Sequence, residues 1–223
     1  MRPSQIRFIS FDCYGTLTNF RVGDVTKTRL SDLVSPDAMA GFLEDFTAYR
    51  FDEVLGDWKP YADVLHQALE RTCRRWNIAF RPEDADSIVE AVPAWGPHAD
   101  VPAPLARVAQ EIPLVILSNA ADSQIQSNVD LLGAPFHAVL TAEQAQAYKP
   151  RLRAFEYMFD TLGCGPEHIM HVSSSLRYDL MSASDLRITQ RVFVERGHGP
   201  GNPAYGYQAI TDIGGLPGLL GIA

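Results

Sequence analysis

The chain has 223 residues, 46% hydrophobic and 21% charged, with a formal net charge of -8. That supplies a core for one large domain, or a domain with a modest insertion, without disulfide or metal staples. The negative charge is spread along the chain rather than gathered in a block, which argues against nucleic acid and anionic membrane as partners.

The N-terminal Met1-Arg2-Pro3-Ser4-Gln5 leads into a short run, Ile6 to Phe11, broken by Arg7 and Ser10 and ended by Asp12. This is no signal peptide, and no stretch approaches the ~20 apolar residues of a membrane span. A cytoplasmic protein is expected. Ile6–Phe11 is β-rich and short, as a buried strand is, and Gly15 marks a turn after it. From about Phe20 to Trp95 the pattern is helical instead, over 38–57, 61–76 and 82–91, the last opened by Pro82. Gly96-Pro97 and Pro102-Ala103-Pro104 punctuate a return to strands. Further strands are expected at 114–117, 137–141, 168–172 and 189–194, with helices at 123–132, 150–162 and 179–185 between them. A Gly- and Pro-rich loop follows from Gly197 to Pro203.

Strands alternating with helices predict an α/β fold: a Rossmann-like parallel sheet core with a helical cap domain inserted after the first strand. The expected boundaries are 1–19 and 95–223 for the core and 20–94 for the cap. Cys13, Cys73 and Cys164 are odd in number and widely spaced, so they suggest reduced thiols rather than a zinc site or disulfide framework.

In open parallel sheets ligands bind beyond the carboxyl ends of the strands. Three predicted strands end in polar residues: Asp12, Ser118-Asn119 and Ser173-Ser174-Ser175. A fourth loop brings Lys149, in Ala147-Tyr148-Lys149-Pro150, and Asp179 follows shortly after the serines. Asp, Ser, Lys and a second Asp in one crevice make a nucleophilic or phosphate-type site. Taken singly, Ser118 and Asn119 also suit a helix cap, Asp179 a helix N-cap, and Thr16 a structural role.

Together these residues resemble the haloacid dehalogenase superfamily. Phe11-Asp12-Cys13-Tyr14-Gly15-Thr16-Leu17 is similar to its first motif, Leu117-Ser118-Asn119 to the second and Lys149-Pro150 to the third. Val172-Ser173-Ser174-Ser175-Leu176-Arg177-Tyr178-Asp179 resembles the fourth in position and spacing. The departures select a branch. Phosphatases of the superfamily carry an acidic residue two positions after the nucleophile, where this chain has Tyr14. They also carry a Gly-Asp pair where it has Ser173-Ser174. A general acid and a Mg²⁺ carboxylate are therefore missing. Halide leaves as a stable anion and needs neither, and Tyr14 resembles the L-2-haloacid dehalogenase branch.

The resemblance implies a hydrolase acting on carbon–halide bonds. Asp12 would displace halide from a small 2-haloacid, and water would cleave the resulting ester to a 2-hydroxyacid. Lys149 would keep Asp12 ionised and orient it. Asp179 would activate or position the water. Ser118 would hold the substrate carboxylate and Asn119 would donate to the departing halide. Tyr14, Thr16, Ser174 and Ser175 complete the expected substrate-binding set. No metal and no cofactor are implied; a homodimer is the family expectation. Trp58, Tyr61 and Trp95 suit either core packing or an apolar pocket for the substrate's alkyl part. The halide-receiving arginine of the cap would be Arg21, Arg29 or Arg50. An asparagine expected in the fourth motif is replaced by Ser175-Leu176, and an aromatic hydroxyl by Phe155. A Mg²⁺-dependent phosphatase and a non-catalytic binding protein on the same fold are the alternatives.

Overall fold

The computed structural model describes residues 6–222. Contacts divide the chain into two compact units, one formed by the chain up to Asn19 and from Gly96 onward, the other by Phe20–Trp95.

The first unit opens with β1 (Phe8–Phe11), buried at all four positions. A strand with no solvent face needs neighbours on both edges and cover on both faces, which is why it is apolar at all positions but Ser10. The helical unit interrupts here with α1 (Val22–Arg29), α2 (Met39–Leu55), α3 (Tyr61–Arg75) and α4 (Pro82–Ala91). The first unit resumes with α5 (Pro102–Val108), β2 (Leu114–Ser118), α6 (Asp122–Asp130), β3 (Ala138–Thr141), α7 (Ala142–Ala145) and α8 (Leu152–Leu162). It ends with β4 (Ile169–Ser173), α9 (Met181–Asp185), β5 (Gln190–Val194), β6 (Gln208–Ile210) and α10 (Gly215–Leu220).

All six strands run parallel in the order β3-β2-β1-β4-β5-β6. The order reverses at β1, so the connections leave its carboxyl end in opposite directions and open a crevice there. Side chains alternate across the strand. Ile9 and Phe11 join Val101, Leu105, Leu114 and Ile116 in one core, while Phe8 joins Val115, Leu117, Phe155 and Met158 in the other. α8 buries Ala154, Phe155, Met158 and Leu162, one stripe at helical spacing, and stops at Gly163 in the left-handed region (φ 59°).

Five elements lie outside the sequence-based expectation: the short α7 and α10, and three others. Pro102-Ala103-Pro104 opens α5, with a proline in its first turn. β6 has three residues, two of them exposed, too short to leave a pattern. α1 is a helix with few buried positions, Val22 and Thr26.

The helical unit buries Phe42, Phe46, Val64, Leu65, Ala68, Leu69 and Ile88. Trp95 packs edge-on against Phe20 with ring centroids 5.6 Å apart. No described helix is long and apolar enough to cross a membrane.

Candidate active site

Asp12 follows β1 directly, and its N–H still donates to Val172 O of the neighbouring strand at 3.1 Å. The chain then turns sharply: the N–H groups of Leu17 and Thr18 donate to Cys13 O at 2.8 and 2.9 Å, and Gly15 N–H donates to Thr18 O at 2.7 Å. Gly15 sits at φ 89°, where a side chain would be strained. Inside this turn the Thr16 hydroxyl donates to Asp12 Oδ2 at 2.7 Å and accepts from the Ser174 N–H at 2.9 Å. Thr16 thus ties the loop after β1 to the end of β4 and aims the Asp12 carboxylate.

Lys149 is 1% exposed, which excludes a solvated surface lysine. Its ammonium donates to Asp12 Oδ1 at 2.9 Å and to Asp179 Oδ1 at 2.7 Å. A bare buried ammonium would be prohibitively costly; two carboxylates compensate it. Burial pushes the Asp12 carboxyl above the usual carboxylate range, with Asp179 adding to the effect and Lys149 opposing it. The Lys149 charge acts in the expected direction, favouring the ionised Asp12, and offsets burial in part. At Asp179 burial acts in the same direction, but the Lys149 charge and a bond from His171 outweigh it and hold that carboxyl low. Both carboxylates hold Lys149 in its charged form against its own burial.

Asp179 lies in a π-helical turn, Leu176–Leu180, and is fully buried. It does not cap α9, whose N-cap position is Leu180. Neither Ser118 nor Asn119 caps α6, which begins after Ala121 with no side-chain cap. Asn119 instead clamps the lysine loop: its Nδ2 donates to Lys149 O at 2.9 Å and its Oδ1 accepts the Lys149 N–H at 2.7 Å. Ser118 is buried, and its Oγ has no partner among the described residues. Ser174 Oγ donates to Gly15 O at 3.0 Å, and Ser175 Oγ accepts the Tyr178 N–H at 3.0 Å, so both hydroxyls fasten loops. The Tyr14 hydroxyl points to Asn128 Oδ1 at 2.7 Å.

The site thus gathers Asp12, Thr16, Lys149, Asp179 and Ser174 by direct hydrogen bonds, with Asn119 holding the lysine loop. Sequence reasoning missed Ser10 and His171, which bond to each other at 2.8 Å and lead on to Asp179. The signal was present: each is a polar residue flanked by apolar ones inside a buried strand. Among the described residues no three His, Cys, Asp or Glu side chains gather as metal ligands. Positions 14 and 174 offer hydroxyls, each already bonded, where a Mg²⁺ site would want carboxylate oxygens.

A buried carboxylate at the end of the first strand, bridged by a lysine to a second carboxylate, suits nucleophilic displacement and a hydrolytic step after it. The family model for haloacid dehalogenase-like hydrolases matches residues 6–186, and the chain belongs to that family. Within it, the chain is 25% identical over 226 residues to the (S)-2-haloacid dehalogenase of Pseudomonas sp. (strain YL), covering 93% of this chain and 94% of that one. It is similar in fold to the L-2-haloacid dehalogenase of Xanthobacter autotrophicus with chloropropionic acid covalently bound (TM-score 0.75, 20% identity, 96% of this chain and 98% of that one). A magnesium-bound HAD-hydrolase from Bacillus subtilis shares the fold as well (TM-score 0.82, 14% identity, 98% and 100% covered).

Proposed function

We propose that this chain releases halide from a small 2-haloacid through an ester on Asp12, without metal, and that Phe20–Trp95 is its inserted cap domain. The observation carrying the reading is the buried Asp12–Lys149–Asp179 array, in which a nucleophile and a candidate base share one ammonium. A dehalogenating relative that spans nearly the whole chain supports the choice of leaving group.

An Asp12 carboxylate oxygen attacks C2 and the carbon–halogen bond breaks, its electron pair leaving with the halide. Thr16 and Lys149 hold the carboxylate so that its direction is set before the substrate arrives. The Ser118 hydroxyl takes the substrate carboxylate, and the second amide proton of Asn119 serves the departing halide. Water then attacks the Asp12 carbonyl carbon and gives its proton to Asp179. The acyl–oxygen bond breaks, the departing alkoxide takes that proton back from Asp179 and leaves as the 2-hydroxyacid, and the water's remaining proton is lost to solvent as the Asp12 carboxylate returns carrying the water's oxygen.

Of the three arginines, Arg21 is exposed and paired with Asp24, and Arg29 is paired with Asp84. Arg50 is buried, stacked between the rings of Phe20 and Phe46 at 5.2 and 5.1 Å, with its Nε unpartnered among the described residues. An unspent, desolvated donor makes Arg50 the one to receive an anion.

Halide release from 2-chloropropionate, with and without EDTA, tests the reading. Release that survives chelation is expected, with p-nitrophenyl phosphate and Mg²⁺ giving negligible hydrolysis. Robust Mg²⁺-dependent phosphatase activity overturns it. Single turnover in ¹⁸O water is expected to leave the label in Asp12, and label appearing directly in the hydroxyacid overturns the ester.

A further inference from the structure

β1 and β4 are apolar strands with one polar interruption each, and the register puts the two interruptions side by side: Ser10 and His171 are direct partners. Both are fully buried. Ser10 Oγ lies 2.8 Å from His171 Nδ1, and His171 Nε2 lies 3.0 Å from Asp179 Oδ1. The Phe155 ring, edge-on at 5.3 Å, closes the pocket.

The protons of this chain can be assigned by elimination. Asp179, held low, is ionised and only accepts. Nε2 therefore carries a proton. The other ring nitrogen, Nδ1, is bonded to Ser10 Oγ at 2.8 Å, and that hydroxyl also reaches Met170 O at 3.4 Å, so Ser10 holds the far side of the ring. Asp179 Oδ1 thus receives two donors, Lys149 and His171. Its other oxygen, Oδ2, is buried with no partner among the described residues. A carboxylate pinned through one oxygen by two donors from different elements cannot exchange its oxygens by rotation.

We propose that His171 is a positioning residue for the second half of the reaction: it spends Asp179 Oδ1 so that Oδ2 stays free to take the proton of the hydrolytic water, and Ser10 holds the ring in the orientation that makes this bond. This rests on the ester mechanism proposed above and assigns the pair to ester hydrolysis rather than to halide displacement. A histidine that only fills the core would affect both halves alike or neither.

The test separates the halves by rapid-quench halide release and intact-protein mass. With His171→Leu, a burst of about one halide per chain at near-native rate is expected, followed by steady turnover slowed about tenfold or more, with the Asp12 ester accumulating. His171→Gln, whose side-chain amide can donate in place of Nε2, should recover much of the steady rate, and Ser10→Ala should fall between Gln and Leu. Should His171→Leu not fold, Ser10→Ala against the native chain carries the same comparison. Equal slowing of burst and turnover, an unchanged turnover, or no advantage of Gln over Leu overturns the assignment. If the native chain releases no halide at all, the dehalogenase reading falls and this inference with it; a native burst with unaffected variants overturns the inference alone.

Discussion

The two units handle charge in opposite ways. In the helical unit, ion pairs sit toward solvent: Arg21 with Asp24, Arg71 with Asp52, Arg81 with Asp32. Even the buried Glu53 reaches outward to Lys59 and Arg71. In the sheet unit, Lys149, Asp179 and His171 are sealed from water and bonded in a line that ends at Asp12. Exposed pairs contribute roughly 0–1 kcal/mol and tolerate change. A buried line of charge has to repay several kcal/mol of desolvation per ion, and hydrophobic residues would fill the same space as well or better. Charge retained there is explained by chemistry more readily than by stability.

Substitutions from the inside outward sharpen this contrast. Asp12→Asn should reduce turnover on the order of 10⁴-fold or more while the far-ultraviolet circular dichroism stays native, because the amide is a poor nucleophile of the same shape. Lys149→Met should cost the displacement step at least about 100-fold in single-turnover halide release, and Lys149→Arg should not restore it, since a planar fork does not fit the place of a compact ammonium. Near-native turnover in Lys149→Met would remove the lysine from the mechanism.

The pH profile of the burst extends the argument. In the proposed reaction Asp12 attacks only as carboxylate, and its pKa is raised by burial. The rate should therefore fall on acidification at a pH above the ordinary carboxylate value, and Lys149→Met should move that limb further up by removing the opposing charge. An acid limb that stays at an ordinary carboxylate pKa in both proteins would contradict the placement of Asp12.

In the helical unit the effects shrink. Arg50→Gln should lower kcat/KM for haloacids about tenfold, as expected when one charged donor to an anion is removed. Arg21→Ala should change Tm by less than about 2 °C and leave kinetics untouched. An Arg21→Ala effect as large as that of Arg50→Gln would erase the distinction between the units.

Most of the frame was legible in the sequence because buried parallel strands and amphipathic helices write their periods plainly. Ile6–Phe11 reads as a buried strand from composition, and Phe8–Phe11 within it is the observed β1; 82–91 is the observed span of α4. Asp12, Lys149 and Asp179 were legible as chemistry, yet their meeting depends on strand order, which no local period encodes. Ser10 and His171 each left a polar mark in an apolar strand, but their pairing was illegible for the same reason: only the register of β1 on β4 makes partners of residues 161 positions apart. Asn119 could be read as a cap or a halide donor; its clamp on the Lys149 backbone requires knowing where that loop returns.

Cys13 adjoins the nucleophile, and 2-haloacids as a chemical class are alkylating agents that attack thiolates. Its thiol is fully buried, 3.6 Å from the Thr18 hydroxyl, with burial pushing its pKa up to about 12. Cys73, buried in the helical unit, stands at about 11. At neutral pH the thiolate population at either sulfur is vanishingly small, and it is the thiolate that reacts. In the proposed reaction the fold therefore offers the electrophile the Asp12 carboxylate, whose ester water can remove. At the neighbouring sulfur, where an adduct would be a permanent thioether, it keeps the proton on and the reagent out. If 2-haloacids are its substrates, as proposed, protection of Cys13 from alkylation by them is built into the same turn that aims Asp12.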